Sequence, residues 1–200
     1  VASCNLPIKQ PVTAIVGLQD NIHMVAPQLT TDELVGALDS LDVHFLTGGE
    51  SSRSARNITP ADLLAQLAAQ PDARIRLAII ALLLRRPEFA LALPSAVEQV
   101  KGETQQLLKL YYTAGVLLQR LYHHSLEHLL GAQPLLPNLF GSDLGVSLVS
   151  EPHEDLQRLG EQHALLTGLN INWAGTYEYA AQRLIKRLEH EVLWTHPQAV

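Results

Sequence analysis

Cysteine is almost missing from this chain, with Cys4 its single instance, so neither a disulfide framework nor a thiolate metal cluster can be built, and a reducing compartment is the simplest setting. Long hydrophobic runs are missing too. The longest, LAIIALLL at 77–84, is cut off by Arg85, Arg86 and Pro87, whereas a membrane-spanning helix needs about 20 apolar residues. The N-terminal VASCNLPIKQPVTAIVGL lacks the charged start and apolar stretch of a secretory leader. A soluble, cytoplasmic protein with no membrane contact is the expectation. Cationic excess is absent as well: the formal net charge is -6. That excludes a protein that coats nucleic acid by charge alone, because phosphate neutralisation needs a concentrated basic surface, and leaves room only for a local basic patch. No Gly-rich phosphate loop, GxSxG elbow, HExxH or paired-Asp nucleotidyltransferase motif occurs. No cofactor is expected.

What the chain does have is helical periodicity. A hydrophobic content of 47% with 17% charge suits one compact domain with an ample core. Residues 1–58 read as an N-terminal arm with one helix, and 59–200 as a helical bundle domain. The arm carries the strand-like TAIVGL and then Thr30-Thr31-Asp32-Glu33, the Thr-x-x-Glu spacing of a capping box, which starts a helix at about 31–41. GGESSRSARN at 48–57 reads as an exposed loop. Thr59-Pro60 is a second start, with threonine as cap and proline in the first helical position. After Pro71-Asp72 comes a helix whose Ile75, Ala78, Ile79, Leu82 and Leu83 keep three-four spacing, widened by Leu77, Ile80 and Leu84, so it should be central. DARIRLAIIALLLRRPEF loosely resembles the second helix of a HEAT-type repeat, without a second copy at a fixed period.

From Ser95 to Leu130 the pattern is helical almost throughout, with Gly102 as a point of division and Gly131 as a natural end. A long irregular connection, 132–152, follows. Helices at about 153–167, ending at Gly168, and 173–194 complete the chain. The fold class is therefore all-α: an irregular bundle of about six helices with a short, partly extended N-terminal segment.

Four groups of residues invite chemistry. Arg183 and His190 stand seven positions apart, about 20° apart around an ideal helix and roughly 10.5 Å along it. They share a stripe with Arg187 and Trp194, while Tyr177, Ala181, Leu184, Leu188 and Val192 lie opposite, so the stripe should face solvent. Arg158 and His163, five positions apart, repeat the arginine-then-histidine pattern but lie about 140° apart, and need a kink at Gly160 to cooperate. His124 and His128, four apart with Glu127 beside them, are placed as two ligands on one helix face would be, but no third ligand of matched spacing follows, so no metal is expected. Arg74, Arg76, Arg85 and Arg86 bracket the central helix, and Trp173, Tyr177 and Tyr179 crowd a helix start. Together these seven form the expected protein interface.

The Arg-x(4-6)-His spacing in a small helical domain resembles the signature of HEPN proteins. That resemblance implies a metal-independent endoribonuclease working as a dimer, in which His190 would serve in acid/base chemistry during attack of a ribose 2′-hydroxyl and Arg183 would hold the phosphate; Arg158 with His163 is the alternative pair. The chemistry is apt, since imidazole moves protons near neutral pH and guanidinium binds phosphate in bidentate fashion. In addition, ITPADLLAQLAAQPDARIRLAIIALLLRRPEFA with NWAGTYEYAAQRL is similar to uncharacterised bacterial helical proteins encoded beside small nucleotidyltransferases. This implies a two-gene, toxin–antitoxin-like module. The leading expectation is then a cytoplasmic protein acting by protein–protein association, with a nucleotidyltransferase partner or as a homodimer. The rival is the RNA-cleaving HEPN-like enzyme, and a weaker third reading is a ligand-binding domain with its pocket beneath 132–152.

Overall fold

The first three helix starts fall where hydroxyl and carboxylate side chains satisfy free amides. In the computed structural model, which describes residues 28–46, 58–147 and 151–195, α1 (Thr31–Ser40) opens on the complete capping box: Glu33 N donates to Thr30 Oγ1 at 3.3 Å and Thr30 N donates to Glu33 Oε2 at 2.9 Å. For α2 (Pro60–Ala68), Asp62 N donates to Thr59 Oγ1 at 3.1 Å, with Pro60 next. In α3 (Ala73–Arg85), Arg74 N donates to Asp72 Oδ1 at 2.8 Å. Each cap contributes about 1 kcal/mol. The TAIVGL segment and the 48–57 loop lie outside the described residues.

The stretch read as helical almost throughout, divided at Gly102, holds three helices: α4 (Leu93–Gln99), α5 (Gly102–Leu121) and α6 (His123–Leu130). A 3-10 helix, Pro87–Ala92, precedes α4. The first division is at Gly102, whose φ of +60° suits a residue without a Cβ. There Gln105 Nε2 donates to the freed carbonyls of Val97 at 2.9 Å and Val100 at 3.2 Å. The second is at Tyr122, whose φ of -103° and ψ of 18° leave the helical region. Gly131 closes α6 at φ +78°. With α7 (Pro152–Thr167), ended by left-handed Gly168, and α8 (Trp173–Thr195), the described residues form eight α-helices and no strand. No helix among them is long and apolar enough to cross a membrane.

The core is centred on α3, where every residue from Leu77 to Leu84 is buried. It packs against α2, α5 and α8, while α5 also holds α7, and α7 holds α8. A helix apolar all round is stable only when surrounded. Leu34, Ala37 and Leu38 of α1 belong to the same hydrophobic cluster, so the described part of the N-terminal arm folds onto the bundle rather than apart from it. The irregular segment after α6 is tied down by side chains of α5: Gln119 donates to Pro134 O at 3.0 Å and accepts from Leu136 N at 2.7 Å, and Tyr112 Oη donates to Pro137 O at 2.6 Å. Its own Leu136, Leu144 and Val146 are buried.

Candidate functional site

Helix α8 presents two faces. Tyr177, Ala181, Leu184 and Leu188 are buried, while Arg183, Arg187, His190 and Trp194 are exposed, as the periodicity predicts. Val192 departs from it and is 40% exposed. The neighbouring helix α3 ends at Arg85, whose guanidinium reaches Glu191 at 3.2 Å, so no further turn of α3 covers the last residues of α8.

The exposed face of α8 forms one wall of a groove. Its other wall is the turn that follows α1, which Val43 and Phe45 anchor in the core. The Arg183 guanidinium lies 5.1 Å from the centroid of the Phe45 ring, a cation–π contact that spans the two walls. On the turn, His44 Nδ1 is 3.0 Å from Asp39 Oδ1. The groove has two joined hollows. The upper one, about 240 Å³, is lined by His44, Phe45, Arg183, Leu184, Lys186, Arg187 and His190, with no carboxylate among them. The lower one, about 770 Å³, shares His44, Arg187 and His190 and adds Arg85, Asp42, Glu191 and Trp194. Glu191 accepts from both Arg85 at 3.2 Å and Arg187 at 3.3 Å, which offsets the positive charge of the lower hollow. An anion is therefore favoured in the upper one, beside Arg183 and Lys186.

The second arginine–histidine pair does not assemble. Helix α7 runs unbroken from Pro152 to Thr167, and Gly160 supplies close approach rather than a kink: a Cβ there would lie 2.8 Å from Ala174 N at the start of α8. Arg158 turns outward to Asp155 at 2.9 Å and Glu154 at 3.5 Å. His163 turns inward and is fully buried. Its ring stacks on Trp173 with centroids 3.6 Å apart and planes 9° apart, and its Nδ1 is hydrogen-bonded to Tyr177 Oη at 2.5 Å. Burial, reinforced by the Arg76 guanidinium, pushes the His163 pKa down to about 4. Burial raises the pKa of the Tyr177 hydroxyl, as does neighbouring Tyr111. The cluster is neutral near pH 7 and closed to a macromolecular substrate.

The seven expected interface residues separate in the same way. Trp173 and Tyr177 are core residues, and Tyr179, 61% exposed, is the one aromatic of the three at the surface. Arg76 Nη1 donates to the carbonyls of Gln70 at 2.5 Å and Pro71 at 3.0 Å, capping the end of the preceding turn. Arg85 pairs with Glu191, and Arg86 donates to Leu41 O at 3.2 Å and faces Asp42 and Glu88. Arg74 remains exposed. His124 and His128 are exposed on α6, where His123 Nε2 is 3.6 Å from Glu127. Among the described residues no three His, Cys, Asp or Glu side chains gather as a metal site.

Sequence reasoning missed the far wall. Lys186 was within reach, one position from the stripe. His44 and Asp39 were not, because nothing in the spacing of a chain relates a turn after its first helix to the face of its last. Compared with protein-family models, curated proteins and solved structures, the chain matches none of them.

Proposed function

We propose that the chain is a HEPN-like endoribonuclease whose site is the α8 groove, with Arg183 binding the scissile phosphate and His190 transferring a proton. The observation that carries this reading is that Arg183 and His190 open into one hollow together with His44 and Lys186 and without a lining carboxylate. Such a set suits a phosphodiester better than a hard cation, which takes oxygen ligands. In the reaction the ribose 2′-oxygen attacks the adjacent phosphorus and the 5′-oxygen leaves, giving a 2′,3′-cyclic phosphate and a 5′-hydroxyl. The cationic side chains offset the charge that accumulates on the non-bridging oxygens. No metal enters these steps, so cleavage is expected in EDTA. The test is digestion of total RNA by wild type, Arg183→Ala and His190→Ala. Each exposed-residue variant should keep the wild-type melting temperature and lose about 100-fold or more in rate. A wild-type protein that leaves RNA intact, or a His190→Ala variant as fast as wild type, sinks the proposal.

A second reading, association with a protein partner, is favoured by Val192, Leu193 and Trp194, which stand exposed at the end of α8 beside the charged groove. Apolar anchors within a charged rim are the anatomy of an interface. The partner proposed is a nucleotidyltransferase of a bacterial, cytoplasmic, toxin–antitoxin-like module, with a homodimer as the other occupant. Light scattering of the chain alone and mixed with a small bacterial nucleotidyltransferase distinguishes the two, and Trp194→Ala should weaken the complex about tenfold or more. Unchanged affinity in that variant removes the α8 end from the interface.

A further inference from the structure

The α8 motif supplies one histidine to the groove, but the opposite wall supplies another, and its surroundings are those of a base. His44 Nδ1 lies 3.0 Å from Asp39 Oδ1. An ionised carboxylate only accepts hydrogen bonds, so in the neutral ring Nδ1 carries the proton and Nε2 is left as the acceptor nitrogen. The backbone beneath the ring is fixed: Val43 N donates to Leu38 O at 2.9 Å and Phe45 N to Val43 O at 2.8 Å, and the flanking side chains of Val43 and Phe45 are buried. The His44 side chain itself is 36% exposed and lines both hollows, as His190 does. An imidazole with an accessible acceptor nitrogen, a carboxylate to orient it and a rigid support meets the geometric requirements of general-base catalysis.

We propose that His44 is the general base of the groove, oriented by Asp39, and that His190 is the general acid; the assignment rests on the ribonuclease reading above. His44 Nε2 takes the proton of the 2′-hydroxyl as the O2′–P bond forms. His190, protonated, gives its proton to the 5′-oxygen as the P–O5′ bond breaks. The two rings end with exchanged protonation states and return through solvent, so no co-reactant is consumed. Asp39 is a positioning residue and touches no reacting atom.

An RNA oligonucleotide with sulfur in place of the bridging 5′-oxygen at one linkage separates the roles, because a thiolate leaves without protonation. His44→Ala and His44→Gln should each lose about 100-fold or more on the oxygen substrate and recover nothing on the sulfur substrate, whereas His190→Ala should recover most of its loss there. Asp39→Asn should lower kcat with KM unchanged, which a purely structural role would not produce. If His44→Ala cuts the oxygen substrate within about threefold of wild type while His190→Ala is dead, His44 has no catalytic part and the ribonuclease reading survives without it. Recovery of His44→Ala in place of His190→Ala overturns the assignment of base and acid. A wild-type protein inactive on both substrates overturns the inference and the ribonuclease reading together.

Discussion

His163 and His190 share a sequence context, each a few residues after an arginine, and have opposite environments. His190 is exposed on α8 and His163 is fully buried. Since burial lowers the His163 pKa to about 4 from 6.5, the unfolded chain takes up a proton below pH 6.5 that the folded chain refuses until about pH 4. Stability from this residue is complete above pH 6.5 and is lost as pH falls through that window, by about 2 kcal/mol at pH 5. Urea midpoints at pH 7.5 and 5 should differ accordingly in wild type, and the difference should shrink in His163→Leu; an equal difference in both would place the titration elsewhere. The burial was legible in part, because His163 is in phase with buried Leu156 and Leu159 at the spacing of an apolar face. The tryptophans offer a parallel contrast, 2% exposed at Trp173 and 83% at Trp194. Acrylamide should quench one fluorescence component and spare another, and Trp194→Phe should leave only the protected one.

At the scale of elements, capping chemistry was the most legible signal. Thr30, Thr59 and Asp72 each accept from an amide in the first helical turn, and a motif of three or four residues is enough to see it. Inter-helix fits were illegible, because they depend on which faces meet. Gly160 looked like a hinge and is a contact point: Gly160→Ala would drive its methyl against Ala174 N, backbone that cannot rotate away. Overpacking of this kind costs about 1–3 kcal/mol, and a urea titration should find it despite alanine's better helix propensity. Gln119 is a comparable case, since both ends of its buried amide hold the 134–136 backbone. Gln119→Leu strands Leu136 N and Pro134 O, at about 1–3 kcal/mol for each buried group left unsatisfied. Limited proteolysis should then open the segment 132–147 first; resistance equal to wild type would mean that Tyr112 and the buried leucines suffice to hold it.

At the scale of the whole molecule, a net charge of -6 coexists with an upper hollow free of lining carboxylates. A low average conceals such a patch, which is why composition excluded a charge-coating protein and left the groove invisible. Two or three phosphate contacts from Arg183, Lys186 and Arg187 predict a shallow salt dependence, a slope of about -1.4 to -2.1 in log K against log salt for single-stranded RNA. Anisotropy with the His190→Ala protein measures it without cleavage, and Lys186→Ala should reduce the slope by about 0.7. A slope near zero would mean that phosphate is not what the groove holds. The groove's two walls also come from segments far apart in the sequence, the turn after α1 and α8. A chain still emerging from the ribosome holds the first wall before the second exists, so whatever chemistry the groove performs waits on the docking of α8.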